Sequence, residues 1–351
     1  MKYPRITFGI IVLNGEPFTR YNLRALYPFA HQIIVVEGAA PAAAGVATKN
    51  GHSRDGTLDV LHRFKDEEDI EAKVMIVTAE DEGHPNGFWP GEKDEQSQAY
   101  AKRATGDYLW QVDIDEFYAP EDMVKICTLL REDPTVTGAS FYQITFWGGL
   151  DYVVDGWFLR RGMSIYHRLF KWGLGYQYAT HRPPTVLDAK GRDLRTLNWC
   201  EAAELRSRGI QLYHYSLLLP KQVEEKCTYY ATAPLFARSK ALAWYSETFM
   251  NLRRPFRPHN VYQYPSWLER FRGRHPAQIE AMLADVRADK LNTSLRPIDD
   301  IERLLSRWWY RVGRLLLIVA DPIDLWWKWV FSPRRNFERL LKIGRIVSGL
   351  R

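Results

Sequence analysis

The chain has 351 residues, 46% hydrophobic and 14% aromatic with 13 Trp, which is enough apolar material for one large domain with an appendage and excludes an intrinsically disordered chain. The formal net charge of +6 is carried by the end of the chain: residues 301–351 hold 11 Lys/Arg against 4 Asp/Glu, whereas the preceding residues hold 37 against 38. The body therefore lacks the basic surface of a nucleic-acid-binding protein. Cys127, Cys200 and Cys227 are widely spaced and contain no CxxC pair, which argues against a disulfide framework or zinc knuckle and for a reducing, cytoplasmic location. The first residues run into a strand-like segment without the apolar region of a signal peptide.

In chain order, residues 6–13 form an apolar, β-branched run that reads as a buried strand. Pro17 then sits at the start of a helical pattern over 18–26. A second strand over 33–36 ends at Glu37-Gly38, a helix opens at Asp55-Gly56-Thr57, and a third strand covers 74–77. Residues 92–104 read as a helix stopped by Gly106, 108–112 as a fourth strand, and 120–130 as a helix with Glu121 and Asp122 in its first turn. Four alternations of strand and helix predict an α/β fold with a largely parallel central sheet. Such sheets bind ligands beyond the carboxyl ends of their strands, where Glu37 and Asp113 fall. From Gly138 onward the pattern turns to strands (139–146, 166–172 and 176–180), expected to form the second wall of a cleft, before a helix over 222–230. Residues 251–276, crowded with Arg and Pro, read as an extended connection.

Asp113-Ile114-Asp115 carries the most chemistry. Residues i and i+2 of an extended backbone point to one side, so both carboxylates are expected to face one point, as a hard divalent cation requires. Asp-x-Asp alone is a weak signal, since two acids at a strand end also merely solvate a turn.

Four segments together resemble family 2-type glycosyltransferases of the GT-A fold, over about the first third of the chain. They are Ile6-Thr7-Phe8-Gly9-Ile10-Ile11-Val12-Leu13-Asn14, Ile33-Ile34-Val35-Val36-Glu37-Gly38, Ser53-Arg54-Asp55-Gly56-Thr57, and the stretch from Ala104 to Phe117 that contains Asp113-Ile114-Asp115. The resemblance implies a Rossmann-like GT-A domain with a C-terminal helical appendage. It also implies transfer of a sugar from a nucleoside-diphosphate donor, UDP-sugars favoured, to a glycan or glycolipid hydroxyl with inversion. Glu37, Asp55, Lys93, Gln98 and Asp113 would meet the donor, although an inserted loop separates Glu37 from Asp55, and Asp55 reads better as the cap of the following helix. Asp113, Asp115 and His214, the last within Leu212-Tyr213-His214-Tyr215-Ser216-Leu217, would hold Mn²⁺ or Mg²⁺. Related sequences carry His-Glu where this chain has His181-Arg182, so the general base is sought elsewhere: Asp151 first, with Glu201 and Glu204 in reserve.

The expected organisation is a catalytic domain over 1–230 (donor half about 1–118, acceptor half about 119–230), a connection over 231–300 and a basic, Trp-rich tail over 301–351. In the tail, Leu304, Leu305, Trp308, Trp309, Val312, Leu315, Leu316 and Val319 recur at helical spacing beside a stripe of Arg303, Arg307, Arg311 and Arg314. Pro322 is expected to break the helix, and a second basic segment follows Pro333. The uncharged run over 315–320 falls far short of the roughly 20 residues of a membrane span. A basic amphipathic tail of this kind fits the surface of an anionic membrane, here the inner face of the cytoplasmic membrane, or else packs on protein. Two other functions compete. A nucleotidyltransferase would need a Gly-rich phosphate loop where Leu13-Asn14-Gly15-Glu16-Pro17 has one Gly, and a non-catalytic membrane-surface scaffold would have no use for the donor-side acids.

Overall fold

The computed structural model describes residues 3–91, 93–232 and 240–331. The second basic segment of the tail lies outside these residues.

Four strands build the first half of the sheet: β1 (Ile6–Val12), β2 (Gln32–Glu37), β3 (Val74–Val77) and β4 (Tyr108–Asp113). They run parallel in the order β3-β2-β1-β4. β1, β2 and β4 are buried on both faces, which is why they read as continuous apolar runs rather than alternating ones. Four helices cover the faces: α1 (Thr19–Leu26), α2 (Thr57–Glu67), α3 (Lys93–Ala101) and α4 (Pro120–Glu132). α4 starts with Pro120 in its first turn followed by two acids, the arrangement that suits the orphan N–H groups and the helix dipole. α3 lies against β1 through Gly9, where an added Cβ would stand 2.6 Å from the Tyr100 ring.

The second half mixes directions. After the two-residue β5 (Glu116–Phe117) come β6 (Gly138–Trp147), β7 (Tyr152–Gly156) and β8 (Ile165–Lys171), with β8 inserted antiparallel between β4 and β6. A separate hairpin, β9 (Gln177–His181) with β10 (Pro184–Leu187), packs on α3. β11 (Trp199–Cys200) and helix α5 (Ala202–Ser207) stand at the start of β6. β12 (Leu212–Leu217) pairs with both β5 and β6 and leads into α6 (Pro220–Thr232). The result is an α/β fold with a mixed eleven-stranded sheet whose half formed by β3, β2, β1 and β4 is parallel.

Beyond α6 the chain departs from the sequence reading. Residues 251–276, expected to be extended and unpacked, contain β13 (Ser266–Arg270), fully paired antiparallel with β7 and burying Trp267 and Leu268. α7 (Ala241–Trp244), α9 (Asp299–Ser306) and the start of α10 (Trp308–Phe331) share one core with Trp147, Tyr152 and Leu217, while α8 (Ala277–Arg287) packs against α1. The Arg/Pro content hid a strand whose apolar pair is only two residues long. α10 also continues through Pro322 where a break was expected. Arg161 binds Asp321 and Asp324, each at 2.7 Å, and so grips the helix on both sides of the proline. Among the described residues, no helix is long and apolar enough to cross a membrane.

Candidate active site

The site is built where β4 ends. Asp113 is its last residue, Ile114-Asp115 form a turn, and Glu116 begins β5. β12 fixes this turn, because His214 pairs with Glu116 and the Tyr215 N–H donates to the Asp115 carbonyl at 2.9 Å. Since Ile114 and Asp115 are not extended, the i, i+2 argument fails locally, and the two carboxylates take different partners.

Asp113 accepts from Arg168 Nη2 at 2.9 Å. The same nitrogen binds Glu116, whose other oxygen accepts the Asp113 N–H at 3.1 Å. Arg168 and Glu116 are buried. Burial raises the Asp113 carboxyl, but Arg168 and then Lys93 outweigh it and hold the group well below the usual carboxylate range. Burial wins for Glu116, whose pKa is raised despite Arg168.

Asp115 faces the other way. Its Oδ2 accepts from Lys226 Nζ at 2.5 Å and Gln222 Nε2 at 3.0 Å, and its Oδ1 lies 3.3 Å from His214 Nε2. Burial opposes ionisation here too, yet Lys226 and His214 keep Asp115 far below its ordinary pKa. Gln222 and Lys226 are four residues apart on α6, hence on one face. That spacing was visible in Lys221-Gln222-Val223-Glu224-Glu225-Lys226. Nothing local marked Arg168 as the partner of Asp113.

α3 and the β9–β10 hairpin supply the neighbouring wall. Ser97 Oγ meets His181 Nδ1 at 2.8 Å, and the His181 N–H donates to Asp94 at 2.6 Å. Burial, and then the Lys93 charge, depress the His181 imidazole to about 2, so it is neutral at physiological pH. Lys93 is half-buried at the start of α3, and its charge acts on both Asp113 and His181. Gln98 is exposed, with its amide donating to the Tyr178 carbonyl.

Glu37 is wholly buried and engaged within the protein. It accepts from the Ser53 N–H, Ser53 Oγ and His52 Nδ1, each at 2.8 Å, and thereby closes the inserted loop that follows β2. His52 also meets Glu80 at 3.1 Å; burial lowers its pKa, but the two acids prevail and raise it. Asp55 accepts from the Thr57 N–H, Thr57 Oγ1 and the Glu16 N–H, and so organises the start of α2.

The acceptor-side candidates are dispersed. Glu201 and Glu204 stand at the start of α5, beside the pairing of Cys200 with Ala139, whereas His214 pairs with Thr145. Six residues of strand β6 separate those positions, about 20 Å at 3.3 Å per residue, so neither acid takes a proton at the Asp115 site. Glu204 instead pairs with Arg208. Asp151 lies exposed in the turn after β6, at the His214 end, where its charge reaches His275.

The expected ligands Asp113, Asp115 and His214 do not form one coordination group: among the described residues, no three His, Cys, Asp or Glu side chains stand together so as to hold a metal. Arg168 draws Asp113 aside. Asp115 and His214 remain adjacent, His214 Nδ1 is a buried atom without a hydrogen bond, and the Lys226 ammonium stands in as the cation at Asp115. An oxygen and an imidazole nitrogen suit a divalent cation as a two-ligand fragment.

Fold and site together define an α/β protein with buried, ionised acids and their cations at the carboxyl edge of its parallel strands. No protein-family model matches the sequence, and no curated protein matches it. Among solved structures, part of the chain is similar to S. aureus TarS 1-349 in complex with UDP, at 14% identity, covering 42% of this chain and 36% of that chain with a TM-score of 0.27. The same holds for that protein in complex with UDP-GlcNAc, at 16% identity, 42% and 35% coverage and a TM-score of 0.26. Glucosyl-3-phosphoglycerate synthase from Mycobacterium tuberculosis, in complex with Mn²⁺, UDP and phosphoglyceric acid, matches at 15% identity over 41% of this chain and 43% of that chain, with a TM-score of 0.28. The chain spans less than half the length of each of these proteins.

Proposed function

We propose that this chain is a glycosyltransferase of the GT-A, family 2 type that uses a nucleoside-diphosphate sugar, UDP-sugars favoured. The observation that carries the reading is the cluster at the end of β4, where Asp113 and Asp115 are held ionised by Arg168, Lys226 and Lys93. It lies at the edge of a parallel sheet where ligands bind. A nucleoside diphosphate gathers negative charge as the sugar leaves, and fixed cations aimed at that charge stabilise the transition state. Lys226 and Lys93 are the groups of this chain that would meet it, with Asp113 turned toward the ribose. A divalent ion, Mn²⁺ or Mg²⁺, would supply Lewis-acid neutralisation of the diphosphate when bound. Asp115 and His214 would hold that ion.

Glu37 then acts on the donor side by shaping the loop over the nucleotide rather than by touching it, and Asp55 by fixing α2. On the acceptor side, Asp151 is the candidate base for a glycan or lipid-linked hydroxyl. The basic chain end suits an acceptor held at an anionic membrane surface, at the inner face of the cytoplasmic membrane, in cell-envelope polysaccharide or glycolipid synthesis.

The test is a thermal-shift and calorimetric screen of UDP- and GDP-sugars with and without Mn²⁺. A UDP-sugar is expected to stabilise the chain more strongly with the ion. Absence of any nucleotide-sugar binding ends the reading.

A further inference from the structure

Helix α10 turns both its acids and a short apolar row, Tyr310, Leu317 and Ile318, toward the body. Arg161 holds Asp321 and Asp324 against the body, Trp157 donates to the Leu317 carbonyl at 2.9 Å, and Tyr310 is fully buried. Gly313 meets the Phe256 ring so closely that an added Cβ would stand 2.3 Å away. The outward side is apolar. Trp308, Val312, Leu315, Val319, Ile323 and Trp326, spaced by three and four residues, form one stripe, and their exposure runs from 45% to 74%. At 1.5 Å per residue the 24-residue helix is about 36 Å long. A solvent-facing helix normally shows the reverse pattern, its apolar stripe toward the core.

The flanking charge tells which occupant fits. Arg307 and Arg311, one turn apart, are exposed along one edge of the stripe, and neither has an acidic partner among the described residues. The acids of α10 are turned inward. A second copy of the helix laid on this stripe would find no outward carboxylate to answer those arginines, whereas anionic headgroups would. Trp308 and Trp309 near one end, with Trp326 and Trp327 toward the other, supply the amphipathic rings that favour a headgroup boundary.

We propose that α10 is an in-plane membrane anchor, its Trp308–Trp326 stripe sunk to the acyl boundary of an anionic leaflet and Arg307 and Arg311 among the headgroups. This deepens the membrane placement in the proposed function, but it stands on α10 alone and is tested without the donor.

The experiment is flotation of the full chain with vesicles of phosphatidylcholine alone or with about one third phosphatidylglycerol. Binding to the anionic vesicles, weakened by salt and accompanied by a blue shift of Trp emission, is expected. Leu315→Asp/Val319→Asp changes only exposed positions; it is expected to keep the circular dichroism and thermal midpoint while weakening vesicle binding about tenfold or more. Arg307→Glu/Arg311→Glu should weaken anionic binding and leave the small residual affinity for neutral vesicles. Asp115→Asn should bind vesicles normally, which separates this inference from the donor reading. Failure of the full chain to bind either vesicle overturns the proposal, as does unchanged binding of the Leu315/Val319 variant. Light scattering that shows a dimer converted to monomer by that variant also overturns it, by assigning the stripe to a second copy.

Discussion

Lys226 sets its ammonium 2.5 Å from Asp115 Oδ2, joining two residues 111 positions apart and tying α6 to the turn after β4. The contact neutralises a buried carboxylate, and it puts a protein cation at the point where donor charge would be answered. Replacing it with Lys226→Met should cost about 1–2 kcal/mol of stability, since Asp115 stays buried with less compensation. It should weaken UDP binding about tenfold, or about 1.4 kcal/mol. In the variant, Mn²⁺ should raise the thermal midpoint more than in the parent, because the ion then meets an uncompensated acid. Equal Mn²⁺ responses in the two chains would refute this account of Lys226.

Asp115→Asn keeps the shape and the hydrogen-bonding oxygen while removing the charge. The fold should survive, and Mn²⁺-dependent binding of UDP should fall by at least about tenfold by calorimetry, since a neutral amide is a poor ligand for a hard cation. Full retention of affinity and turnover would place the donor elsewhere.

Arg168 bridges Asp113 and Glu116 with all three groups largely out of water. Arg168→Met leaves two acids facing each other and should destabilise the chain by about 3–5 kcal/mol in urea denaturation. Arg168→Lys should rescue this only in part, because the shorter side chain does not carry its ammonium to the point where Nη2 meets both acids.

His181 gives the acid limb of stability a sign. Its folded pKa is depressed to about 2, while the unfolded imidazole titrates near 6.5. The unfolded chain therefore binds the proton first, so this contribution is present above about pH 6.5 and is lost progressively as pH falls toward the folded value. The expected slope is up to about 1.4 kcal/mol per pH unit. His181→Asn should flatten stability between pH 6.5 and 4, as followed by urea midpoints. Below about pH 4 the depressed carboxyls of Asp113 and Asp115 add a loss of the same sign in both chains, whereas Glu116, with its raised pKa, gains stability on acidification only above its unfolded value of about 4.5.

The sequence alone determined the parallel half of the sheet and the placement of acids at its edge. Strands buried on both faces must be continuously apolar, Pro and Gly punctuate the helices between them, and a chain reversing after such a strand puts its next residues at the ligand edge. The partners of those acids were decided only by the tertiary structure. Arg168 reaches Asp113 because β8 enters antiparallel beside β4, and Lys226 reaches Asp115 because β12 aims α6 across the turn. Glu37, placed correctly at the end of β2, was claimed by the loop that follows it. The same division holds for the chain end. The apolar and basic periods were legible, but the chain divides them between α9 and α10 at the extended Arg307, and which side of α10 faced the body depended on Arg161 binding Asp321 and Asp324. Periodicity reports which residues share a face; strand order and long-range ion pairs determine what that face meets.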